Sequence, residues 1–323
     1  MSVPVESRAT IAPPSAIVVL GAGVVGSRVV RLLGDRPYRA LSMRSVKLSD
    51  ISAGELVILT GGGAHAPLAE QLGRRGASVI SVADGLADVV ELLALDQLFA
   101  DHDATVVVGA AMAPGLSGLI ARHLASMLAR TDEIHTAFHA TAGPQCARQH
   151  HRALAGRAVG WHDGEWIYRP SGSGRELCWF PEPVGAHDCY RAELADPVLL
   201  QRDLPEVNRI SARLSATRRD RLTSRLPMLR RPHAEGGVGA VRVEVRGADA
   251  DGERRSLIAG IAEFVGAAAG AVAVAMALAA ERGELPVGAV TTSDERLDHR
   301  RVLGDVSSLG IRLQEFTGVS GPA

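Results

Sequence analysis

The stretch GPQCARQHH, residues 143–151, brings a thiol, two imidazoles and a guanidinium together within nine positions. Gly143-Pro144 suits a turn into a helix with proline at its first position. On that helix Cys146 and His150 lie four apart on one face, while Arg148, His151 and Arg152 line the neighbouring face. A metal would find two ligands in register and no third, so none is expected. Arg148 or Arg152 could hold an anionic group while His150 or His151 passes a proton, which imidazole does well near neutral pH. The alternative is a polar helix face over a buried cysteine. A second cluster, FPEPVGAHDCYRAE, carries Glu182, His187, Asp188 and Tyr190. Its proline and glycine place it in a loop, from which His187 would meet substrate and either it or Tyr190 would supply a proton. Residues 209–231 hold eight arginines interspersed with Leu and Pro. They could meet phosphate or an acidic carrier, but the aromatic side chains that stack nucleic-acid bases are missing. A solvated, partly amphipathic helix is expected there.

The elements that must position these groups begin with AIVVL, residues 16–20, a continuous apolar run of the kind found in buried parallel strands. GAGVVG follows at once, and SRVVRLLG continues with helical periodicity to Gly34. In such a strand–turn–helix, Gly21 makes the tight turn, Gly23 lets a pyrophosphate approach the backbone, and Gly26 lets helix and strand pack closely. The phosphates then face the helix N-terminus at Val24 and Val25. Further strands are expected at 38–43, at 56–60 running into Gly61-Gly62-Gly63, at 78–82 ending near Asp84, and at 105–108 before GAAMAPG. Helices are expected at 66–75, 89–100 and 116–130. This alternation means an α/β fold, a doubly wound parallel Rossmann sheet. Ligands sit at the carboxyl ends of such strands, which gathers Gly61, Gly62, Asp84, Gly109 and Met112 around one crevice.

After residue 131 the pattern changes. EIHTAFHA alternates like a strand, WHDGEW reads as a hairpin turning at Asp163-Gly164, and ADADG separates a second hairpin pair. The organisation expected is a floppy tail at 1–15, a dinucleotide-binding domain at 16–131, an inserted mixed α+β substrate domain at 132–260, and a return to the first domain at 261–323. Residues 257–280 are apolar apart from Glu263 and long enough to span a bilayer. They are mostly Ala and Gly, and the carboxylate would be costly in lipid, so a buried helix is expected and no membrane span. GIRLQEF near the end could add a last strand.

Composition narrows the chemistry. The 323 residues carry a formal charge of −1 with 46% hydrophobic residues, enough for about two cored domains and no bulk attraction to nucleic acid. Lys47 is the only lysine and stands in no phosphate-binding or Schiff-base context, which disfavours both mechanisms. Three cysteines, Cys146, Cys178 and Cys189, with no Cys-x-x-Cys, argue against a disulfide framework and for a reducing, cytoplasmic compartment. The end of the second strand reads ALSMRSVKL, with Arg44 and Ser45 where a NAD site wants a carboxylate. A guanidinium suits a 2′-phosphate, so NADP(H) is expected rather than NAD(H).

With the glycine turn, MAPGLSGLIARHL after the fifth strand, the inserted region and the Ala-rich returning helix in view, the chain resembles the saccharopine dehydrogenase-like oxidoreductases over about residues 16–318. The Pro114-Gly115 loop is the most specific piece of that resemblance. It implies pyridine-nucleotide chemistry at C–N (imine or amine) bonds, and in some relatives at C=C bonds, on a small-molecule substrate. Ala111 stands where that pattern leads one to expect glycine. With one lysine, a mechanism using a substrate-domain lysine cannot operate here. A homodimer is one option for assembly, and a non-catalytic Rossmann-fold nucleotide sensor or scaffold is the alternative function.

Overall fold

The computed structural model describes residues 9–228 and 233–316. The first half opens with β1 (Ile17–Leu20), α1 (Val24–Leu33), β2 (Tyr38–Leu41), β3 (Leu56–Leu59), α2 (Ala66–Gly73) and β4 (Ser78–Ser81). It continues through α3 (Leu86–Leu93), α4 (Asp96–Ala100), β5 (Thr105–Val108) and α5 (Leu116–Ala125). The central strands are buried throughout because helices cover both faces of their sheet. Val18, Leu20, Val57 and Leu59 face α2 and α3, while Ile17, Val19, Leu56 and Ile58 face the opposite layer. The helix expected at 89–100 is two helices. The one expected at 116–130 stops at Ala125, because Arg130 already begins the next strand.

The second half comprises β6 (Arg130–His139), α6 (Pro144–Ala153), β7 (Arg157–His162), β8 (Glu165–Pro170), β9 (Glu176–Trp179) and β10 (Ala186–Arg191). Then come α7 (Asp196–Asp203), β11 (Arg209–Ser215), α8 (Arg218–Thr223), β12 (Val238–Ala248) and β13 (Arg254–Phe264). The chain returns through α9 (Val265–Glu281), β14 (Gly288–Thr291), α10 (His299–Ser308) and β15 (Gln314–Glu315). The first sheet is wholly parallel in the order β14-β5-β4-β3-β1-β2. Its order reverses beside β1, the place where open α/β sheets bind ligands. The second sheet runs β15-β13-β12-β6-β11-β10-β9, with β7 and β8 branching from β11, and only β6 and β11 pair in parallel. The fold class read from the sequence, a Rossmann sheet plus a mixed second domain, is the one observed.

Several local expectations are corrected. The tail is ordered from Ala9 onward: Ile11 is buried and its N–H donates to Leu285 O, and Val287 N–H donates to Ala9 O; residues 1–8 lie outside the described residues. The loop assigned to FPEPVGAHDCYRAE holds strand β10, since only its first half carries the turn-forming prolines and glycine. Residues 209–215, expected to be helical, form β11, in which buried Ile210, Ala212 and Leu214 alternate with exposed or half-buried Arg209, Ser211 and Arg213 before the buried Ser215. Residues 229–232 of that stretch lie outside the described residues. The return after residue 260 is partial: β13 runs on to Phe264, and β15 pairs with β13 in the second sheet.

Helix α9 explains the apolar stretch. It is buried nearly all round and lies across α1, where a Cβ on Gly266 would stand 2.5 Å from Val24 Cγ1 and one on Gly270 would stand 2.9 Å from Arg28 Cβ. Small residues are there to let two helices touch. No helix among the described residues is long and apolar enough to cross a membrane.

Candidate active site

The two halves enclose a cleft of about 1010 Å³ at the carboxyl ends of β1, β3 and β4. One wall is the turn from Gly21 to Val25. Gly21 has φ +119°, and its Cβ would stand 2.7 Å from the Thr60 hydroxyl. A Cβ on Gly26 would stand 2.0 Å from Gly21 O, so only glycine lets α1 start so close to β1. A Cβ on Gly23 would meet nothing within 4 Å, and that residue borders the cleft. The backbone there is open to a ligand.

Beyond β2, Ser42, Met43 and Arg44 border the cleft, with Arg44 exposed; Ser45, also exposed, donates its N–H to Ser42 O and does not border it. Asp50, the nearby carboxylate, accepts from Lys47 N–H at 2.9 Å and also lies outside the cleft. Gly61 and Gly62 form the edge after β3. Sequence reasoning missed what holds them. His65 is 2% exposed; its Nε2–H donates to Gly61 O at 2.9 Å, leaving Nδ1 to accept from the Ser81 hydroxyl at 2.8 Å. Burial holds its pKa below the usual value, in keeping with a neutral ring that braces the glycine loop. The Asp88 carboxylate accepts from the backbone N–H groups of His65 and Ala66 at the start of α2.

The floor is formed by Asp84, Ala113 and the buried Met112. Gly109 lies beneath it, packed against Pro114, and does not reach the cleft. Asp84 is surrounded by protein on its other sides. Desolvation pushes its carboxyl up to about 6, with the Asp88 charge adding to the rise and a backbone hydrogen bond opposing it. A small cavity of about 20 Å³, the size of one water molecule, lies behind Asp84 and is shared with Cys146, Gln149, His150 and Glu193.

The facing wall is α6, the helix read from GPQCARQHH, with Gly143 as its N-cap and Pro144 in its first turn. Gln145, Cys146, Gln149 and Arg152 border the cleft. Gln145 packs on Gly62, and Gln149 on Gly85, so the helix spans the cleft from one domain to the other. Burial, reinforced by the Asp84 charge, pushes the Cys146 thiol up to about 12; it is a packing group and no nucleophile. His150 turns aside, Nε2–H donating to Ser215 O at 3.2 Å, and touches only the small cavity; burial holds its pKa low.

The other expected residues lie elsewhere. His151 donates from Nε2 to Leu226 O at 2.9 Å, away from the cleft, because neighbours on a helix point about 100° apart. Arg148 is exposed and bonded to the Gln145 side chain. Tyr190 is buried under the Arg221 guanidinium, 4.1 Å from its ring centroid. His187 stacks on His139, with ring centroids 4.1 Å apart, across the second sheet. Neither Tyr190 nor His187 borders the cleft. Gln145, Gln149 and Glu193 went unnoticed in the sequence. A helical wheel of 144–153 offers the spacing of the two glutamines, but nothing in it says which face meets the other domain, and Glu193 lies outside that helix.

No family model and no curated protein matches the chain. Among solved structures, it superposes on apo saccharopine dehydrogenase (L-Glu forming) from Saccharomyces cerevisiae with a TM-score of 0.67 at 12% identity, covering 94% of this chain and 100% of that one. The chain has the saccharopine dehydrogenase fold. DAP dehydrogenase from C. glutamicum, solved in complex with DAP, superposes with a TM-score of 0.52 at 13% identity, covering 91% of this chain and 98% of that one. Within the saccharopine dehydrogenase fold as this chain builds it, a glycine turn, a carboxyl that titrates near 6 and a cleft-facing arginine share one crevice.

Proposed function

We propose that the chain is an NADP(H)-dependent oxidoreductase that adds or removes hydride at a C–N or activated C=C bond of a small anionic substrate. Its two-domain dehydrogenase fold supports that class. The backbone from Gly21 to Val25 would hold the pyrophosphate, and Arg44 the 2′-phosphate. Both the guanidinium at the cleft edge and the absence of a cleft-lining carboxylate beside β2 favour NADP(H) over NAD(H). Gly61, Gly62 and Met112 would border the ribose and ring of the nicotinamide half. The bound nicotinamide supplies or accepts the hydride; the chain must handle the proton.

Asp84 is the observation that carries this reading. It is an ionisable group on the cleft floor whose carboxyl is held at about 6, where both protonation states are accessible near neutrality. Protonated, its O–H donates to the nitrogen or carbon that gains a negative charge during reduction. Ionised, it takes that proton back in oxidation. Arg152 faces the same space and suits a substrate carboxylate or phosphate. The scaffold alternative gains nothing from the geometry, because the cleft is open at Gly23.

The test is NADPH oxidation over a panel of imines and activated alkenes, with its pH dependence. Reduction should weaken as pH rises through about 6, because the donor is then ionised, and oxidation should strengthen over the same range. Asp84→Asn should remove that inflection and cost about 10²-fold or more in rate with NADPH affinity intact. An unchanged profile in Asp84→Asn would overturn the role. Failure to bind either dinucleotide would overturn the enzyme reading itself.

A further inference from the structure

Several arginines on the second sheet have carboxylate partners: Arg213 has Glu176, Arg242 and Arg246 share Glu244, Arg254 has Asp132 and Arg255 has Asp249. On α6 and α8 no arginine has a carboxylate partner among the described residues. Arg148, Arg152, Arg218, Arg219 and Arg225 are all exposed and make no ion pair among the described residues. Asp220 is the acid among them, and its carboxylate is occupied in capping α8 with Thr217. Beside these cations Leu222 is 72% exposed and Leu226 56%, with Met228 also exposed. The two elements adjoin, since His151 of α6 donates to Leu226 O. Arg152 belongs both to this surface and to the cleft, so the surface begins at the cleft mouth.

We infer that this surface docks an acidic protein at the mouth of the cleft. Five uncompensated guanidinium groups ask for carboxylates, and arginine is the cation favoured in protein interfaces. The exposed leucines supply apolar anchors that a purely ionic contact would not need. A membrane fits poorly. Arg218 and Leu222, four apart on α8, share one face, whereas a helix lying in a bilayer surface segregates its apolar and basic sides. Single-stranded nucleic acid fits poorly too, because the patch has no aromatic ring on which bases stack. An acidic protein seated here would stand beside the opening through which substrate passes. The inference concerns that surface and does not depend on the cofactor reading.

The experiment titrates the full chain against a labelled amphipathic helical peptide rich in Glu and Leu. Polyglutamate, vesicles containing phosphatidylserine and a single-stranded oligonucleotide serve as competing probes at about 0.1 M salt. The peptide should bind more tightly than the other three. Leu222→Ser should weaken it about tenfold, the scale of losing one buried leucine contact. Arg218→Glu with Arg225→Glu should weaken it further and slow its association. These side chains are exposed, so the variants should keep the wild-type melting temperature. Equal binding of polyglutamate and peptide, with Leu222→Ser silent, would reduce the surface to bulk charge and overturn the inference. Tighter binding of vesicles or oligonucleotide, lost in the same variants, would overturn it in favour of those partners.

Discussion

The Gly21–Val25 wall of the cleft is made of backbone, and the α6 wall opposite is made of side chains. In the first, a Cβ on Gly21 or Gly26 would collide with neighbouring protein atoms, whereas Gly23 leaves its backbone open to the cleft. In the second, Gln145 and Gln149 reach across to Gly62 and Gly85, and Arg152 borders the open space between. A backbone site is written locally: strand, turn and helix are consecutive, so their residues must be consecutive too. A side-chain site depends on which helix face the rest of the fold turns inward. The first kind is rigid and intolerant, the second adjustable, and substitutions should divide the same way.

The largest effect should come from Gly26→Ala. Its Cβ would stand 2.0 Å from a backbone carbonyl that cannot move without shifting the turn. Overpacking of this kind typically costs about 1–3 kcal/mol and occasionally more. Thermal melting should show a drop of several degrees together with lost NADPH binding. Gly23→Ala sharpens the point, since its Cβ meets nothing within 4 Å of protein. It should leave the melting temperature unchanged while still weakening NADPH. If both glycine variants melt alike, the division between packing and approach is wrong.

On the opposite wall, Arg152→Ala should raise KM for an anionic substrate about tenfold or more, the scale of a hydrogen bond to a charged group. NADPH affinity and melting temperature should hold. A loss of NADPH affinity instead would move Arg152 to the cofactor side.

A smaller effect is expected at Arg44, which is exposed and screened by salt. Arg44→Ala should cut the preference for NADPH over NADH by about tenfold, one charge-assisted contact. Calorimetric titration of both dinucleotides reads this directly. Equal affinities in the wild type would remove Arg44 from the site.

The same contrast explains what could be read from the sequence. The run at 106–108 and the helix at 265–280 carry no polar side chain, so their type is evident without neighbours. RISARLS at 209–215 also alternates with period two, but its flanking arginines suggested a longer helix. Only its pairing with β6 and β7 shows that a strand is buried there. AHDCYR was obscured by the prolines before it. Among the cleft-lining residues, Gly21 is legible because the turn demands a positive φ there. Asp84 was legible as a crevice residue but not as an acid near 6, because that value comes from desolvation by segments distant in sequence. His65 was missed because its partners, Gly61 O and the Ser81 hydroxyl, come together only after β3 and β4 pair.

The smallest effect is the most discriminating, because it concerns the residues that looked most catalytic. His151 spends its Nε2–H on Leu226 O and does not border the cleft. That bond joins α6 to the turn after α8 at a partly exposed position, where a neutral hydrogen bond contributes about 1 kcal/mol. His151→Ala should therefore lower the melting temperature slightly and leave turnover, substrate KM and NADPH affinity unchanged. His150 is a finer case, because its ring closes the small cavity behind Asp84. Removing that ring opens the cavity to more water and eases the desolvation that lifts the Asp84 carboxyl. His150→Ala should thus shift the inflection in the reduction profile below about 6, with a modest fall in rate at neutral pH and the inflection itself retained. A fall of about 10²-fold with the inflection abolished would instead identify His150 as the proton donor. The α6 wall would then act through the residue that its sequence advertised.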